Sequence, residues 1–190
     1  MASLPKTFLT PEAYLDRERR AEARSEYYDG EMFAMAGVTT KHDDILTQLQ
    51  FLIHRHVRGG RCRVHSSDMR VLASPGGLYT YPDLTVVCGE REFADSHVDT
   101  LTNPTLLVEV LSPSTEGYDR GPKAELYHSI PSLRDLLLIS QESYEVEVHR
   151  RQTDGTWSRM IAQGLDASIE LTSIGYTLHL RELYELVTAS

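Results

Sequence analysis

Residues 105–111 read Thr-Leu-Leu-Val-Glu-Val-Leu, a stretch in which one carboxylate, Glu109, interrupts an apolar run. Apolar residues at consecutive positions predict a strand that is buried on both faces, as in the centre of a sheet. Residues 81–88, Tyr-Pro-Asp-Leu-Thr-Val-Val-Cys, have the same character and carry Asp83 near their start. Two such strands predict a central sheet with a covering layer on each face.

The segments around these strands predict helices and hairpins. Thr10-Pro11 indicates the start of a helix that runs to about residue 20. Asp29-Gly30 predicts a hairpin over 26–35, and Thr40 with Asp43 predicts a capped helix over 41–58 that Gly59-Gly60 ends. The other predicted elements are strands at 61–65, 68–73 and 136–139, a turn at 74–77, a polar loop at 90–103, a helix at 122–129, a hairpin of 144–150 with 157–162, and a short helix at 180–187. The sequence therefore predicts an α/β fold with a mixed central β-sheet, flanking helices and added β-hairpins.

The composition predicts one globular domain over residues 1–190. Hydrophobic residues make up 41% of the chain and charged residues 25%. The longest strongly apolar run, 136–139, is far too short to cross a bilayer, and no secretory signal pattern opens the chain. We expect Cys62 and Cys88 to be reduced thiols in the core of a cytoplasmic protein, with contact between them left open.

The formal net charge is −9, which argues against binding nucleic acid by net charge alone. A local basic surface is still compatible with this value. No acidic residue lies between Asp44 and Asp68, while this segment holds four arginines and three histidines, namely Arg55, Arg58, Arg61, Arg63, His54, His56 and His65. The alternative interpretation is that these cations complement the dipole at the carboxyl end of a helix.

Asp83 and Glu109 are the first candidates for a functional site. A carboxylate in a central strand costs several kcal/mol unless it is paired or binds a cation. Taken alone, Glu109 is compatible with a buried ion pair to an arginine, and Asp83 with a residue at a turn or strand start. Together, two carboxylates on neighbouring strands predict a site for a hard cation such as Mg²⁺, with the carboxyl groups within about 6 Å of each other.

Three further side chains are candidates for the same site. Lys123 precedes Leu126 and Tyr127 by three and four residues, which places it on the buried face of its predicted helix. His42 precedes Ile45 and its neighbours by the same spacings, and Glu31 follows the Asp29-Gly30 turn. Each has a simpler interpretation: a surface lysine with a buried stem, a hydrogen-bonded core histidine and an exposed hairpin residue, respectively.

These residues occur within an ordered set of motifs that resembles the PD-(D/E)XK nuclease superfamily and, more closely, the Uma family of bacterial restriction-type endonucleases. The resemblance covers roughly residues 10 to 185. It rests on Tyr28-Asp29-Gly30-Glu31, Met35-Ala36-Gly37, His42, Ser67-Asp68-Met69-Arg70-Val71, Tyr81-Pro82-Asp83, Val108-Glu109-Val110-Leu111-Ser112-Pro113-Ser114-Thr115, Asp119-Arg120-Gly121-Pro122-Lys123 and Tyr127. The superfamily pattern has a lysine two residues after the second acid, where this chain has Leu111. In the Uma-like branch that lysine has moved to the following helix, and Lys123 matches this position.

The resemblance implies a restriction-endonuclease-like fold, a Mg²⁺ site in which Mn²⁺ can substitute, and cleavage of DNA phosphodiester bonds. Asp83, Glu109 and the Val110 carbonyl would be the metal ligands. Lys123 would orient or deprotonate the attacking water and stabilise charge, and we expect its Nζ within about 5 Å of one of the two acids. His42 and Glu31 would support the site. Cutting of both strands suits a homodimer.

Two alternatives stay open from the sequence. The first is a noncatalytic protein of nuclease-like fold that acts as a dimeric interaction or nucleic-acid-binding module, and the net negative charge favours it. The second is a metal-dependent phosphoesterase of small substrates. The acid pair with an inward lysine favours the endonuclease.

Overall fold

A computed structural model describes residues 8–35, 37–74 and 77–187 of the chain. Of the predicted turn at 74–77, Pro75 and Gly76 lie outside the described residues. The helices are α1 (Pro11–Glu18), α2 (Thr40–Val57), α3 (Glu116–Tyr118), α4 (Ala124–His128) and α5 (Leu180–Leu183), and a π-helical turn over Asp119–Lys123 joins α3 to α4.

The larger sheet has six strands in the order β11-β10-β9-β8-β6-β3. They are β3 (Cys62–Ser66), β6 (Leu84–Cys88), β8 (Leu106–Leu111), β9 (Asp135–Ser140), β10 (Glu145–Arg151) and β11 (Trp157–Gln163). β8 pairs with β9 in parallel and with β6 antiparallel, so the sheet is mixed, as predicted. Every residue of β8 is buried, in agreement with its place in the centre.

The smaller sheet has five strands in the order β2-β1-β5-β4-β7. They are β1 (Ser25–Tyr28), β2 (Glu31–Ala34), β4 (Arg70–Leu72), β5 (Tyr79–Thr80) and β7 (Thr100–Leu101). The predicted hairpin at Asp29-Gly30 is confirmed: both residues have positive φ, 46° and 85°, as a tight hairpin turn requires.

Two hydrophobic layers cover the larger sheet. On one face, α2 packs Ile45, Leu49 and Ile53 against alternate strand residues such as Val86 and Val108. On the other face, residues in and beside the smaller sheet and in α4 pack against the remaining positions of the larger sheet. The covering residues include Val71, Leu78, Leu101 and Tyr127, and the residues of the larger sheet include Leu107, Leu111 and Leu138. Glu109 shares this second face with Leu107 and Leu111 because side chains alternate along a strand.

The structure corrects several boundaries. Thr39, not Thr40, caps α2, since its extended backbone lets its hydroxyl accept the His42 N–H at 3.2 Å. The predicted polar loop contains β7, and the helix predicted at 122–129 begins as the π-helical turn because Gly121 departs from helical geometry. A hairpin of β12 (Ser168–Leu171) and β13 (Tyr176–His179) was not predicted.

The expectation of two reduced core thiols is wrong. Cys62 and Cys88 form a disulfide that joins the edge strand β3 to β6. The antiparallel register places the two residues directly opposite each other, and both are only partly buried, at one end of the sheet. The two cysteines therefore no longer support a cytoplasmic location.

A search of the described ranges finds no helix with both the length and the apolar character needed to cross a bilayer.

Candidate active site

The strand register brings Asp83 and Glu109 together. Leu84 at the start of β6 lies opposite Val108 of β8. Asp83 comes directly before this register and lies close to Glu109: the Val110 N–H donates to Asp83 Oδ2 at 2.7 Å, and the charge of Asp83 helps to raise the pKa of Glu109. The shared face of the two acids stays a prediction. The simpler interpretation of Asp83 as a local turn residue does not account for its contacts with β8 and α2.

Lys123 reaches Glu109 from the end of the π-helical turn. Its Nζ lies 3.0 Å from Glu109 Oε1, inside the 5 Å expected from the sequence, and only 6% of the residue is exposed. This burial rules out a surface lysine with a solvated head. The chain is kinked at Gly121, whose φ of −107° and ψ of −106° are not helical, and Lys123 follows this kink. Leu111, at the position where the superfamily pattern has its lysine, is buried in the core.

Two more carboxylates surround the ammonium group. Lys123 Nζ lies 3.1 Å from Glu26 Oε1 and 3.7 Å from Asp119 Oδ1. Burial alone would lower the pKa of Lys123, but Glu109, Glu26 and Asp119 hold that pKa above its ordinary value. An ammonium with three acidic neighbours is a positive charge and a hydrogen-bond donor.

Tyr127 completes the contacts of Glu109. Its hydroxyl donates to Glu109 Oε1 at 2.5 Å and lies 3.3 Å from Thr80 Oγ1. Thr80 in turn donates to Glu26. Burial raises the pKa of Glu109 to about 8; Lys123 opposes this, while Asp83, Asp119 and Glu26 add to it. The site thus concentrates negative charge in a mostly buried place, where a cation is favoured.

Sequence reasoning did not identify Glu26, Asp119 or Tyr127 as site residues. Asp119 and Tyr127 lie four residues before and after Lys123, a spacing that brings helical side chains together and was available as a signal. Glu26 had no local signal. It reaches the site because β1 pairs with β5 through Tyr27 and Tyr79, a contact between distant parts of the chain.

His42 lies in the first turn of α2 and contacts Asp83. Its Nε2 is 3.1 Å from Asp83 Oδ2, and since a carboxylate only accepts, Nε2 carries the proton. Burial alone would lower the pKa of His42, but the hydrogen bond to Asp83 raises it above its ordinary value. Nδ1 is buried and has no partner among the described residues. The histidine is therefore placed to orient Asp83, and the same contact also fits the simpler interpretation of a hydrogen-bonded core histidine.

Glu31 lies at the rim of this group. It is exposed at the first position of β2, opposite Tyr28, on the hairpin face that also carries Glu26. The buried contact with Lys123 comes from Glu26, so the hairpin carboxylate at the centre of the site is Glu26. A supporting role for Glu31 stays a prediction.

The oxygen donors fit a small hard cation. Among the described residues, the polar groups that contact Asp83 bind its Oδ2, and those that contact Glu109 bind its Oε1. The second oxygen of each carboxylate is therefore left for a cation. The Val110 N–H donates to Asp83 Oδ2 at 2.7 Å. Because the N–H and C=O of one strand residue point to the same side, the Val110 carbonyl is directed toward Asp83.

No three His, Cys, Asp or Glu side chains within residues 8–35, 37–74 and 77–187 are grouped around one point as metal ligands. A cation here would have two carboxylates and a main-chain carbonyl as its protein ligands. This set suits Mg²⁺, which binds proteins through one or two carboxylates and keeps several of its waters.

Comparison with known proteins identifies the family and the fold of this chain. A family model for Uma2, described as "Putative restriction endonuclease", matches residues 11–181. The chain belongs to the Uma2 family. The matched residues span α1 to the start of α5, so both sheets and all the site residues fall within the family region.

Two relatives and one solved structure are similar over nearly the whole chain. The uncharacterized protein slr1290 of Synechocystis sp. (strain ATCC 27184 / PCC 6803 / Kazusa) is 39% identical over 182 residues, which cover 96% of this chain and 94% of that protein. The uncharacterized protein sll1609 of the same strain is 35% identical over 164 residues, which cover 86% of this chain and 93% of that protein. A crystal structure of a "putative nuclease belonging to DUF820" from Anabaena variabilis ATCC 29413 matches with a TM-score of 0.78 at 21% identity, over 95% of this chain and 99% of that one. The predicted nuclease-like fold is confirmed.

Proposed function

We propose that this protein is a metal-dependent endonuclease that hydrolyses DNA phosphodiester bonds. The observation that carries the proposal is the contact of a buried lysine with one acid of the pair: Lys123 Nζ lies 3.0 Å from Glu109 Oε1, and the other acid, Asp83, accepts the N–H of the next residue, Val110, at 2.7 Å. Membership of the Uma2 family supports a nuclease-like role.

Asp83, Glu109 and the Val110 carbonyl would hold Mg²⁺, with Mn²⁺ as a substitute. When bound, such an ion activates water and neutralises charge on the phosphate. The protein's own groups fix the site around it: Tyr127 orients Glu109, and His42 orients Asp83. Lys123 is placed to stabilise the negative charge that grows on the phosphate oxygens during hydrolysis.

The surroundings of Lys123 favour an electrostatic role over that of a base. Three carboxylates lie within 3.7 Å of Nζ, and each stabilises the charged ammonium form. Glu26 and Asp119 therefore act as positioning residues that hold the lysine toward Glu109.

Nicking of supercoiled plasmid DNA in the presence of Mg²⁺ tests the proposal. We expect wild-type protein to nick the plasmid, and Glu109→Gln to be at least about 100-fold slower because one ligand loses its charge. Glu125→Gln is a matched control, since Glu125 is exposed on the neighbouring helix α4. EDTA should abolish nicking. Equal rates for wild type and Glu109→Gln would contradict the proposal.

Calorimetry separates the endonuclease from the alternatives. We expect wild-type protein to bind Mg²⁺ or Mn²⁺ and Asp83→Ala to lose that binding. Absence of binding by wild type would favour the noncatalytic interaction module. Hydrolysis of small phosphodiesters without cleavage of plasmid would favour a small-substrate phosphoesterase. A homodimer and a cytoplasmic location remain part of the proposal, to be tested by light scattering and cell fractionation.

A further inference from the structure

Five exposed arginines occupy the end of the molecule where α2 stops and β3 begins, namely Arg55, Arg58, Arg61, Arg63 and Arg91. We call this group the basic surface. In the part of the chain that the structure describes, none of the five forms an ion pair with a carboxylate, whereas Arg19, Arg70 and Arg120 do. In a chain of net charge −9, such a group is a local exception.

Two adjoining depressions give the basic surface its shape. One is lined by Arg61, Arg63 and Arg91, together with Phe93 and Glu90, and the other by His54, Arg58 and Arg63 with the main chain at 59–60. Arg63 belongs to both. Its guanidinium donates to the Gly60 and Cys62 carbonyls at 2.9 and 3.0 Å, which holds it in place between the two depressions.

The helix dipole does not account for this group. Cations in the last turn of α2, such as Arg55, complement the dipole at that end. Arg61 and Arg63 instead flank the first residue of β3, and Arg91 follows β6, so they lie outside the helix. The row of positive charge on β3, an edge strand, also opposes edge-to-edge pairing with a second copy of the chain.

The basic surface lies at the opposite end of α2 from the acid pair. His42 touches Asp83 in the first turn of α2, and the helical rise from His42 to Val57 is about 22 Å. On β3, Arg63 and His65 lie opposite Val87 and Thr85, on the sheet face that carries Asp83. A chain of phosphates can therefore follow the β3 edge from the acid pair to Arg63 without changing faces.

We propose that the basic surface binds the phosphate backbone of nucleic acid that flanks the cleaved bond, about 6 to 7 base pairs away at 3.4 Å per pair. Guanidinium groups suit phosphate because they donate two parallel hydrogen bonds and stay charged. This inference rests on the proposed function for the position of the cleaved bond, but phosphate binding itself needs neither the metal nor catalysis.

The test measures binding of a fluorescent 30-base-pair DNA duplex by anisotropy, in EDTA, over a series of salt concentrations. The variant is Arg58→Gln/Arg61→Gln/Arg91→Gln, which spares Arg63 and its hydrogen bonds to the main chain. The control is Arg17→Gln/Arg20→Gln/Arg134→Gln, which changes the net charge equally at other exposed positions. Thermal unfolding of each variant confirms that it is folded.

We expect the variant to bind at least tenfold more weakly than wild type at physiological salt. The slope of log K against log salt should fall in magnitude by about 2 to 3, since each lost phosphate contact removes close to one. The control should keep the wild-type slope.

Wild-type affinity and slope in the variant, or an equal loss in the control, would overturn this inference. Binding of polyglutamate in place of DNA would also overturn it, in favour of an acidic protein partner. The inference fails separately from the proposed function. If wild type never nicks plasmid but the variant loses DNA binding, only the endonuclease is contradicted. If wild type nicks plasmid and the variant binds DNA as wild type does, only the role of the basic surface is contradicted.

Discussion

Lys123 is the residue on which the active-site geometry depends most. Replacement by methionine keeps most of the apolar stem but removes the charge that faces Glu109. We expect Lys123→Met to reduce the Mg²⁺-dependent nicking rate by about 100-fold or more, normalised to folded protein. Arginine should not restore the rate, because its larger planar group does not fit a site that leaves lysine only 6% exposed. Nicking by Lys123→Met at the wild-type rate would contradict the role of this lysine.

The same substitution has a cost in stability that the sequence did not reveal. Lys123 contacts three carboxylates, so Lys123→Met leaves buried acids without a cation, which costs about 3–5 kcal/mol. The double variant Lys123→Met/Glu109→Gln removes one of those acids and should recover part of the free energy of unfolding. Urea unfolding of the wild type, both single variants and the double variant measures this coupling. Additive effects would contradict the contact.

His42 acts on the site through Asp83. His42→Ala removes the hydrogen bond to Asp83 Oδ2, so we expect about 10-fold to 100-fold weaker Mg²⁺ binding, as loss of a group that orients a ligand causes. His42→Gln, whose amide can donate to Asp83, should recover part of that affinity. Calorimetry on both variants is the measurement. Lower stability with unchanged Mg²⁺ affinity would return His42 to a core histidine.

At the scale of elements, the β1–β2 hairpin delivers Glu26 to Lys123, and its turn depends on Gly30. Gly30 has a φ of +85°, and an added Cβ would lie 2.3 Å from the nearest atom of the Phe8 side chain. We expect Gly30→Ala to lower the free energy of unfolding by about 1–2 kcal/mol. Gly117→Ala is the control, since its Cβ would meet nothing within 4 Å. Equal unfolding midpoints for the two variants would contradict this account of the turn.

Local patterns predicted the elements that local interactions determine. The paired apolar runs gave the central strands, Asp29-Gly30 gave the hairpin, and helical spacing gave the inward direction of Lys123. The disulfide of Cys62 with Cys88 and the contact of Glu26 with Lys123 depend on strand pairing between distant segments, which no local pattern contains. The β12–β13 hairpin was missed because its strands are short and only partly apolar.

At the scale of the whole molecule, charge is divided between two ends of one sheet. The buried acids gather where β8 ends and α2 begins, and the basic surface lies where α2 ends and β3 begins. A net charge of −9 hides this division. Under the proposed function, this arrangement would put positive charge on the nucleic acid away from the cleaved bond and leave the acids for a cation, so that an acidic protein could act on a polyanion.

The buried acids also make the stability of the metal-free protein depend on pH. Burial raises the pKa of Glu109 to about 8. The charge of Lys123 lowers this pKa, while the charges of Asp83, Asp119 and Glu26 raise it further. In the unfolded chain a glutamate has a pKa of about 4.3. Below that value Glu109 is protonated in both states, and the stability it contributes is fully present. Between about 4.3 and 8 only the folded state binds the proton, so stability falls as pH rises, by up to about 1.4 kcal/mol per pH unit.

Urea unfolding in EDTA between pH 5 and pH 8 measures this loss. Glu109→Gln keeps the shape of the side chain but cannot titrate, so its stability should fall less steeply over the same range. His42, whose pKa is also raised, contributes to the pH dependence of both proteins and cancels in the comparison. Mg²⁺ should stabilise wild type more at pH 8 than at pH 6, because the ion competes with the proton for Glu109. Parallel pH profiles for wild type and Glu109→Gln would show that Glu109 is not the acid whose burial opposes folding at high pH.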